Sequence, residues 1–372
     1  MSNLYHPVKI GNVELKGNIF LAPVAGYSDM AFRSVCIENG ACFTYTEMVS
    51  AEALVRKNQK TEVLMRRAFN EKAYAVQIFG GEPEVMAEAA GIVLEKTGCE
   101  VIDINCGCPV PKIVKTGAGS ALTRDPDRLY KVASAVVKAC GGRPVEDGSA
   151  MGDGVAQGGT AHGGVPAQGG SAAGAGAKGG VPVTVKIRSG WEQKQITWRE
   201  AAQAALEAGV SAITIHPRTK AQGYEGHSDW DIMADLVELV AEWNREHGVH
   251  VPVFGSGDLF KPDDARKMLE QTKADGVMFA RGAMGNPFIF RDTTSLLTSG
   301  KYEPVPIQER IKTGFAELER LVSETSEEHA CLEMRKRFSA YSKGIENGAA
   351  LRARIVHATT VQDYRDIFSG VM

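Results

Sequence analysis

The sequence predicts an α/β protein, a (β/α)8 TIM barrel followed by a small all-helical C-terminal domain. Three observations carry this expectation. Eight short runs rich in β-branched and aromatic residues recur between residues 18 and 280, with helical patterns between most of them. Their starts are separated by 25, 31, 27, 82, 29, 39 and 25 residues, and removing one 40-residue glycine-rich segment brings the outlier to 42. After about residue 300 the strand pattern stops, and apolar residues recur at helical spacing alone.

The runs are "NIFLA" near 18–22, "FTYTEM" 43–48, "YAVQIF" 74–79, "VIDIN" 101–105, "VTVKIR" 183–188, "AITIH" 212–216, "VPVFG" 251–255 and "GVMFA" 276–280. Between them lie patterns such as "EPEVMAEAAGIVLEKTG" and "WREAAQAALEAGV". Alternating strand and helix builds a parallel sheet, and strands covered on both faces read as near-continuous apolar runs. A doubly wound sheet is the alternative, but it rarely needs eight such regular units. Residues 1–300 are therefore expected to form the barrel and 301–372 a helical domain, built from "IQERIKTGFAELERLVSE" and "CLEMRKRFSAYSKGIENGAALRARIVHA".

The segment 141–180 holds 15 of the chain's 41 glycines and almost no large apolar residue. Such a stretch buries too little surface to offset its ordering entropy, so a flexible, dispensable surface insertion is expected. It lacks the arginine and aromatic interleaving of a glycine-rich RNA-binding tail.

Composition narrows the function classes. The chain has 372 residues, is 44% hydrophobic and 23% charged, and carries a net charge of −3. The whole chain is not an electrostatic attractor for nucleic acid, so any basic surface is local. Residues 331–372 provide one, with seven Lys and Arg against four Asp and Glu. An odd count of seven cysteines argues against a secreted disulfide framework. The start "MSNLYHPVKIGNVELKGN" does not read as a signal peptide, and no run of about 18 apolar residues occurs. A cytoplasmic protein with no membrane partner is expected, and a monomer.

A barrel of this kind builds its active site at the C-terminal ends of its strands. There the sequence places Gln77, Lys186, Arg188 and His216. The turns "FGSGD" and "FARGAMGNP" follow strands seven and eight. Glycine lets backbone N–H groups approach an anion, and Arg281 adds charge, so a phosphorylated cofactor is expected there. "DINCGCPVPKIVKTGAGSAL" (103–122) carries Cys106 and Cys108. A CxC pair falls short of the three or four ligands zinc wants, and no metal is expected. Cys106 reads as a buried inert thiol. Cys108 reads as sitting on a mobile loop over the barrel mouth, with Lys112 and Lys115 beyond it.

"FLAPVAGYSD", "YTEMVSAEAL", "DINCGCPVPKIVKTGAGSAL", "PVTVKIRSGW", "ITIHPRTKAQGYEGHSDW" and "GVMFARGAMGNPFIFR" resemble the bacterial tRNA-dihydrouridine synthases, most closely their B-type branch. The resemblance covers roughly residues 5–140 and 181–355. It implies an FMN-bearing barrel with a helical tRNA-binding domain, reducing tRNA uridine to 5,6-dihydrouridine with NADPH or NADH as electron donor. It implies Cys108 as the catalytic acid and Cys106 as a bystander. Pro23, Val24 and Ala25 would line the flavin, Gln77 and Lys186 would bond its ring, and His216 would lie beside it. Ser256, Gly257, Asp258, Ala280 and Arg281 would hold its phosphate. Arg335, Lys336, Arg337, Lys343, Arg352 and Arg354 form the basic set expected to meet tRNA phosphates. Two positions depart from the family pattern: Ser256 replaces the asparagine of "GNGD", and Ala280 the first glycine of "GRG". Weaker flavin binding is expected from the serine. An FMN barrel dehydrogenase acting on a small molecule such as dihydroorotate, and a tRNA-binding homologue without catalysis, are the competing readings.

Overall fold

A computed structural model of the chain describes residues 4–145 and 180–371. All eight runs are strands: β1 (Ile19–Leu21), β2 (Phe43–Thr44), β3 (Ala75–Phe79), β4 (Val101–Cys106), β5 (Val183–Glu192), β6 (Ala212–Thr219), β7 (Val253–Ser256) and β8 (Gly276–Phe279). Each pairs in parallel with its sequence neighbours, and β8 pairs with β1. The ring closes between β2 and β3 by a parallel bridge of Tyr45 to Ala75, with the Thr46 amide donating to the Ala75 carbonyl at 3.0 Å. The sheet is therefore a closed barrel of eight parallel strands, to which the short strands Val49–Ser50, parallel to β3, and Gln195–Ile196, antiparallel to β5, are added.

Helices α1 (Met30–Glu38), α2 (Ala51–Val55), α3 (Pro83–Thr97), α4 (Pro126–Ala139), α5 (Trp198–Glu207), α6 (Trp230–His247), α7 (Pro262–Thr272) and α8 (Ile289–Ser299) follow the strands in turn. Their apolar faces and the outward strand residues, such as Val76, Ile102, Val185 and Ile213, form one buried cluster. A second cluster fills the barrel's lower interior, where Phe20 packs edge-on against Phe43 and Phe254 at 5.7 and 4.9 Å. An antiparallel hairpin (Val8–Ile10, Val13–Leu15) contributes Val8, Ile10 and Leu15 to it. This plugs the N-terminal end of the barrel and leaves the other end for chemistry.

Helices α9 (Ile307–Glu324), α10 (Glu327–Tyr341), α11 (Gly348–Ile355) and α12 (Val361–Phe368) complete the chain. Their core includes Ile311, Leu318, Met334, Tyr364 and Phe368 around Phe338, together with Ala31 of α1. The helical module thus seats on α1, and Arg320 of α9 reaches Glu38 at 2.6 Å and Ser34 at 2.9 Å.

Most of the glycine-rich segment, residues 146–179, lies outside the described residues. Its flanks meet: the Val181 amide donates to the Cys140 carbonyl at 2.9 Å, and that of Val145 to the Glu207 carbonyl at 3.0 Å. The segment therefore leaves and rejoins the barrel at one place, between α4 and β5. No helix among the described residues is long and apolar enough to cross a membrane.

Candidate active site

A cavity of about 490 Å³ opens at the C-terminal ends of the strands. Pro23, Val24 and Ala25 line it, as do Gln77, Cys108, Lys186, His216, Ser256, Gly257, Asp258, Ala280 and Arg281. Positions scattered along the barrel sequence thus converge on one space. Asn105, Arg188 and Tyr224 also line it.

The floor is a hydrogen-bond network. Thr184 donates to Asp103 at 2.5 Å, the Gln77 amide donates to Asp103 at 2.6 Å, and Asn105 donates to Gln77 at 2.8 Å. The Asn105 carbonyl oxygen then accepts from the backbone amides of Gly107 and Cys108, at 3.1 and 2.9 Å. The sequence assigns Asn105 no role beyond its place in the cysteine motif, yet it joins the barrel interior to the cysteine loop. Burial pushes the Asp103 carboxyl up to about 6. Burial also pulls the Lys186 ammonium down to about 8, with Arg188 adding repulsion. Among the described residues that ammonium has no hydrogen-bond or ion-pair partner, yet it lines the cavity. The Asp103 carboxylate offsets part of this charge from a distance, and a desolvated cation without a hydrogen bond is costly unless a ligand acceptor meets it.

The cysteine loop, expected from its sequence to be mobile, is braced by hydrogen bonds. It carries two short helices, Pro111–Val114 and Ser120–Arg124. Ser120 donates from its amide and hydroxyl to the Cys108 carbonyl, at 3.0 and 2.9 Å, and Arg188 donates to the Gly107 carbonyl at 2.7 Å. Cys108 is half-buried at the cavity wall, whereas Cys106 is fully buried and away from it. Burial raises both thiols, that of Cys106 far more. A raised thiol stays protonated at neutral pH, so Cys108 holds a transferable proton beside the cavity.

The opposite wall is basic. Arg218, to which the sequence assigns no role, is buried behind it and grips Asp258 through both carboxylate oxygens at 2.8 Å. Its spacing of two from His216 along β6 puts both on one side of the strand, and that is the available signal. Asp258 also accepts from the Ser228 amide at 2.7 Å. These bonds hold Asp258 at φ +57°, next to Gly257 at φ +114°. A carboxylate repels phosphate, so the Asp258 side chain orients the arginines, and what this turn offers an anion is backbone N–H. Arg281 lies 3.6 Å from Asp258, flanked by the rings of Tyr224 and Phe260 at 4.4 and 5.1 Å. Arg218 also donates to His216 Nε2 at 3.2 Å. Arginine only donates, so His216 carries its proton on Nδ1. Burial and surrounding cations hold this imidazole well below its ordinary value, and it is neutral at pH 7.

The six basic residues of the helical module do not share one environment. Lys343 and Arg354 are exposed, and Arg352 is half-buried. Arg335 donates to the Ala358 carbonyl at 2.9 Å. Lys336 is 43% exposed, but its ammonium binds the Gly26 carbonyl at 2.7 Å and pairs with Glu333. Arg337 is a correction. It is 1% exposed, ion-paired with Asp29 and with the fully buried Glu317, and it cannot reach a phosphate.

The geometry can be set beside known proteins. Residues 20–150 and 174–369 match the family model for dihydrouridine synthase (Dus). A probable tRNA-dihydrouridine synthase of Treponema pallidum (strain Nichols) is 51% identical over 361 residues, covering 97% of this chain and 95% of that relative. A tRNA-dihydrouridine synthase B of Klebsiella pneumoniae is 34% identical over 303 residues, covering 81% and 79%. Among solved structures, a histamine dehydrogenase from Rhizobium sp. 4-9 shares the fold at TM-score 0.50 and 12% identity, over 84% of this chain and 51% of that one. The match over nearly the whole chain, barrel and helical module together, leads to one conclusion: the chain belongs to the dihydrouridine synthase family.

Proposed function

We propose that this protein reduces uridines of tRNA to 5,6-dihydrouridine, with FMN in the barrel cavity and NADPH or NADH as electron donor. The observation that carries the reading is the pairing, in one cavity, of a protonated thiol with a half-buried ammonium that makes no hydrogen bond among the described residues. The residues present fit FMN. About 490 Å³ lies within the range of cofactor pockets, roughly 300–1,000 Å³. Lys186 offers a cation to an electron-rich ring, while Arg281 and the backbone of Ser256 and Gly257 offer donors to a phosphate.

FMN, when bound, supplies the hydride chemistry. The chain's residues do the rest. Lys186 stabilises negative charge beside the ring. Neutral His216, fixed as its Nδ1–H tautomer by Arg218, contributes no competing positive charge. Cys108 would give its proton to carbon 5 of the uracil, and the resulting thiolate would be reprotonated from solvent. Asn105 and Ser120 hold the loop so that the thiol faces the cavity. The uridine reaches this depth only unstacked from its neighbours. Exposed cations such as Lys343 and Arg354 then serve the tRNA backbone.

The test is direct. The purified protein is loaded with FMN and given NADPH and unmodified tRNA, and dihydrouridine is measured by mass spectrometry. Dihydrouridine formation supports the reading. Its absence, with turnover of dihydroorotate instead, would replace the reading with a small-molecule dehydrogenase.

A further inference from the structure

The cavity wall formed by Pro23, Val24 and Ala25 belongs to a tight turn. The Tyr27 and Ser28 amides donate to the Val24 carbonyl at 3.0 and 2.9 Å, and the Val24 amide donates to the Ser28 hydroxyl at 3.0 Å. Any displacement of the Gly26 peptide is therefore passed to Val24 and Ala25. Gly26 is gripped on both sides. Its N–H donates to the Glu47 carboxylate at 2.5 Å, from the barrel. Its C=O accepts from the Lys336 ammonium at 2.7 Å, from α10 of the helical module. Gly26 sits at φ +70°, a conformation glycine adopts without strain. The adjoining Tyr27 ring lies under both Lys336 and Arg337, at 5.3 and 5.1 Å, and Arg337 pairs with Asp29 two residues on.

The same helix backs a second wall. Met284 lines the cavity, and Gly285 follows it at φ +66°. A Cβ on Gly285 would lie 2.5 Å from the carbonyl carbon of Ala340 and the amide nitrogen of Tyr341. The chain from β8 thus runs directly against α10. Two cavity loops, one from each end of the barrel sequence, rest on one helix of a module otherwise expected only to meet RNA.

We propose that α10 is a positioning element of the cofactor site, with Lys336 acting through the Gly26 carbonyl to hold the Pro23–Ala25 wall against the flavin. This assigns Lys336 an intramolecular role in place of a tRNA phosphate contact. The proposal rests on the flavin reading above. A charged donor to a neutral carbonyl is among the stronger single hydrogen bonds, and it can be removed while the rest of the turn remains.

The experiment uses the full chain, freed of flavin and titrated with FMN by quenching of flavin fluorescence. Lys336→Met keeps the side-chain stem over Tyr27 and removes the donors. It should weaken FMN binding about tenfold and shift the visible absorption of bound flavin. Lys336→Arg, which restores a charged donor, should return affinity to within about threefold of the parent. The thermal midpoints of both variants should stay within about 3 °C of the parent, which excludes unfolding as the cause. The salt dependence of tRNA binding should not change in slope. The proposal is overturned if Lys336→Met binds FMN like the parent while its tRNA salt slope falls by about one unit. It is also overturned if Lys336→Arg is as weak as Lys336→Met. A parent protein that takes up no FMN would instead refute the flavin reading, and that result is visible before any variant is made.

Discussion

Replacing Arg337 with alanine should damage the fold and spare the RNA surface. The guanidinium bonds Asp29 and Glu317, and Glu317 also accepts from the Tyr341 hydroxyl at 2.7 Å. Arg337 and Glu317 are 1% and 0% exposed. Removing the cation leaves a buried carboxylate uncompensated, which costs about 3–5 kcal/mol. At roughly 2–4 °C per kcal/mol for a large domain, the thermal midpoint should drop by about 6–20 °C. The deficit should depend on pH. Burial already pushes the Glu317 carboxyl above its ordinary value, and Arg337 holds it down. Without Arg337 the folded-state value rises further, so the folded protein keeps a proton that the unfolded chain releases. Stability from such a group is fully present below its unfolded value and lost as pH rises through its folded value. The deficit should therefore be largest near pH 8 and shrink toward pH 5. Urea unfolding at several pH values measures this. A loss under about 1 kcal/mol, together with a flatter salt dependence of tRNA binding, would show that Arg337 faces RNA and would refute the buried-pair argument.

Three further outcomes follow from the same structure. Lys186→Met should raise the thermal midpoint of flavin-free protein, since it relieves a desolvated cation, while weakening FMN binding in titration. Lys343→Ala with Arg354→Ala should lower the log–log salt slope of tRNA binding by up to about one unit for each phosphate no longer neutralised, and leave FMN content unchanged. Replacing residues 146–179 with a short Gly-Ser link should keep flavin content and cost under about 1 kcal/mol in denaturant unfolding, because the flanks of the segment already meet at Cys140–Val181.

The barrel strands are legible in the sequence because parallel strands covered on both faces leave continuous apolar runs, and those of β4 and β6 are almost fully buried. The cavity residues are legible because strand ends have fixed places in this fold. The Val8–Leu15 hairpin is not, since its three-residue strands carry too little pattern. Arg337 is misplaced by its sequence for a different reason. Its neighbours Arg335 and Lys336 suggest a basic surface, but its partner Asp29 lies 308 residues away, and only the packed fold brings them together. Asn105 and Arg218 sit within recognisable motifs, but their roles depend on Cys108 and Asp258, which belong to loops. The hydrogen bonds that brace the cysteine loop likewise come from Ser120 and Arg188, not from its own glycines and prolines.

The central claim is that Cys108 delivers the proton to the reduced uridine and Cys106 only packs. The most direct measurement is single-turnover formation of dihydrouridine in unmodified tRNA by FMN-loaded protein, comparing Cys108→Ala with Cys106→Ala. A positioned general acid contributes typically about 10²–10⁴-fold. Cys108→Ala should lose about that factor while keeping its FMN and its oxidation of NADPH. Cys106→Ala should keep the rate and lose some stability, because its side chain is fully buried in the cluster between the strands and the helices. An unchanged rate in Cys108→Ala, or a collapse confined to Cys106→Ala, would contradict the account.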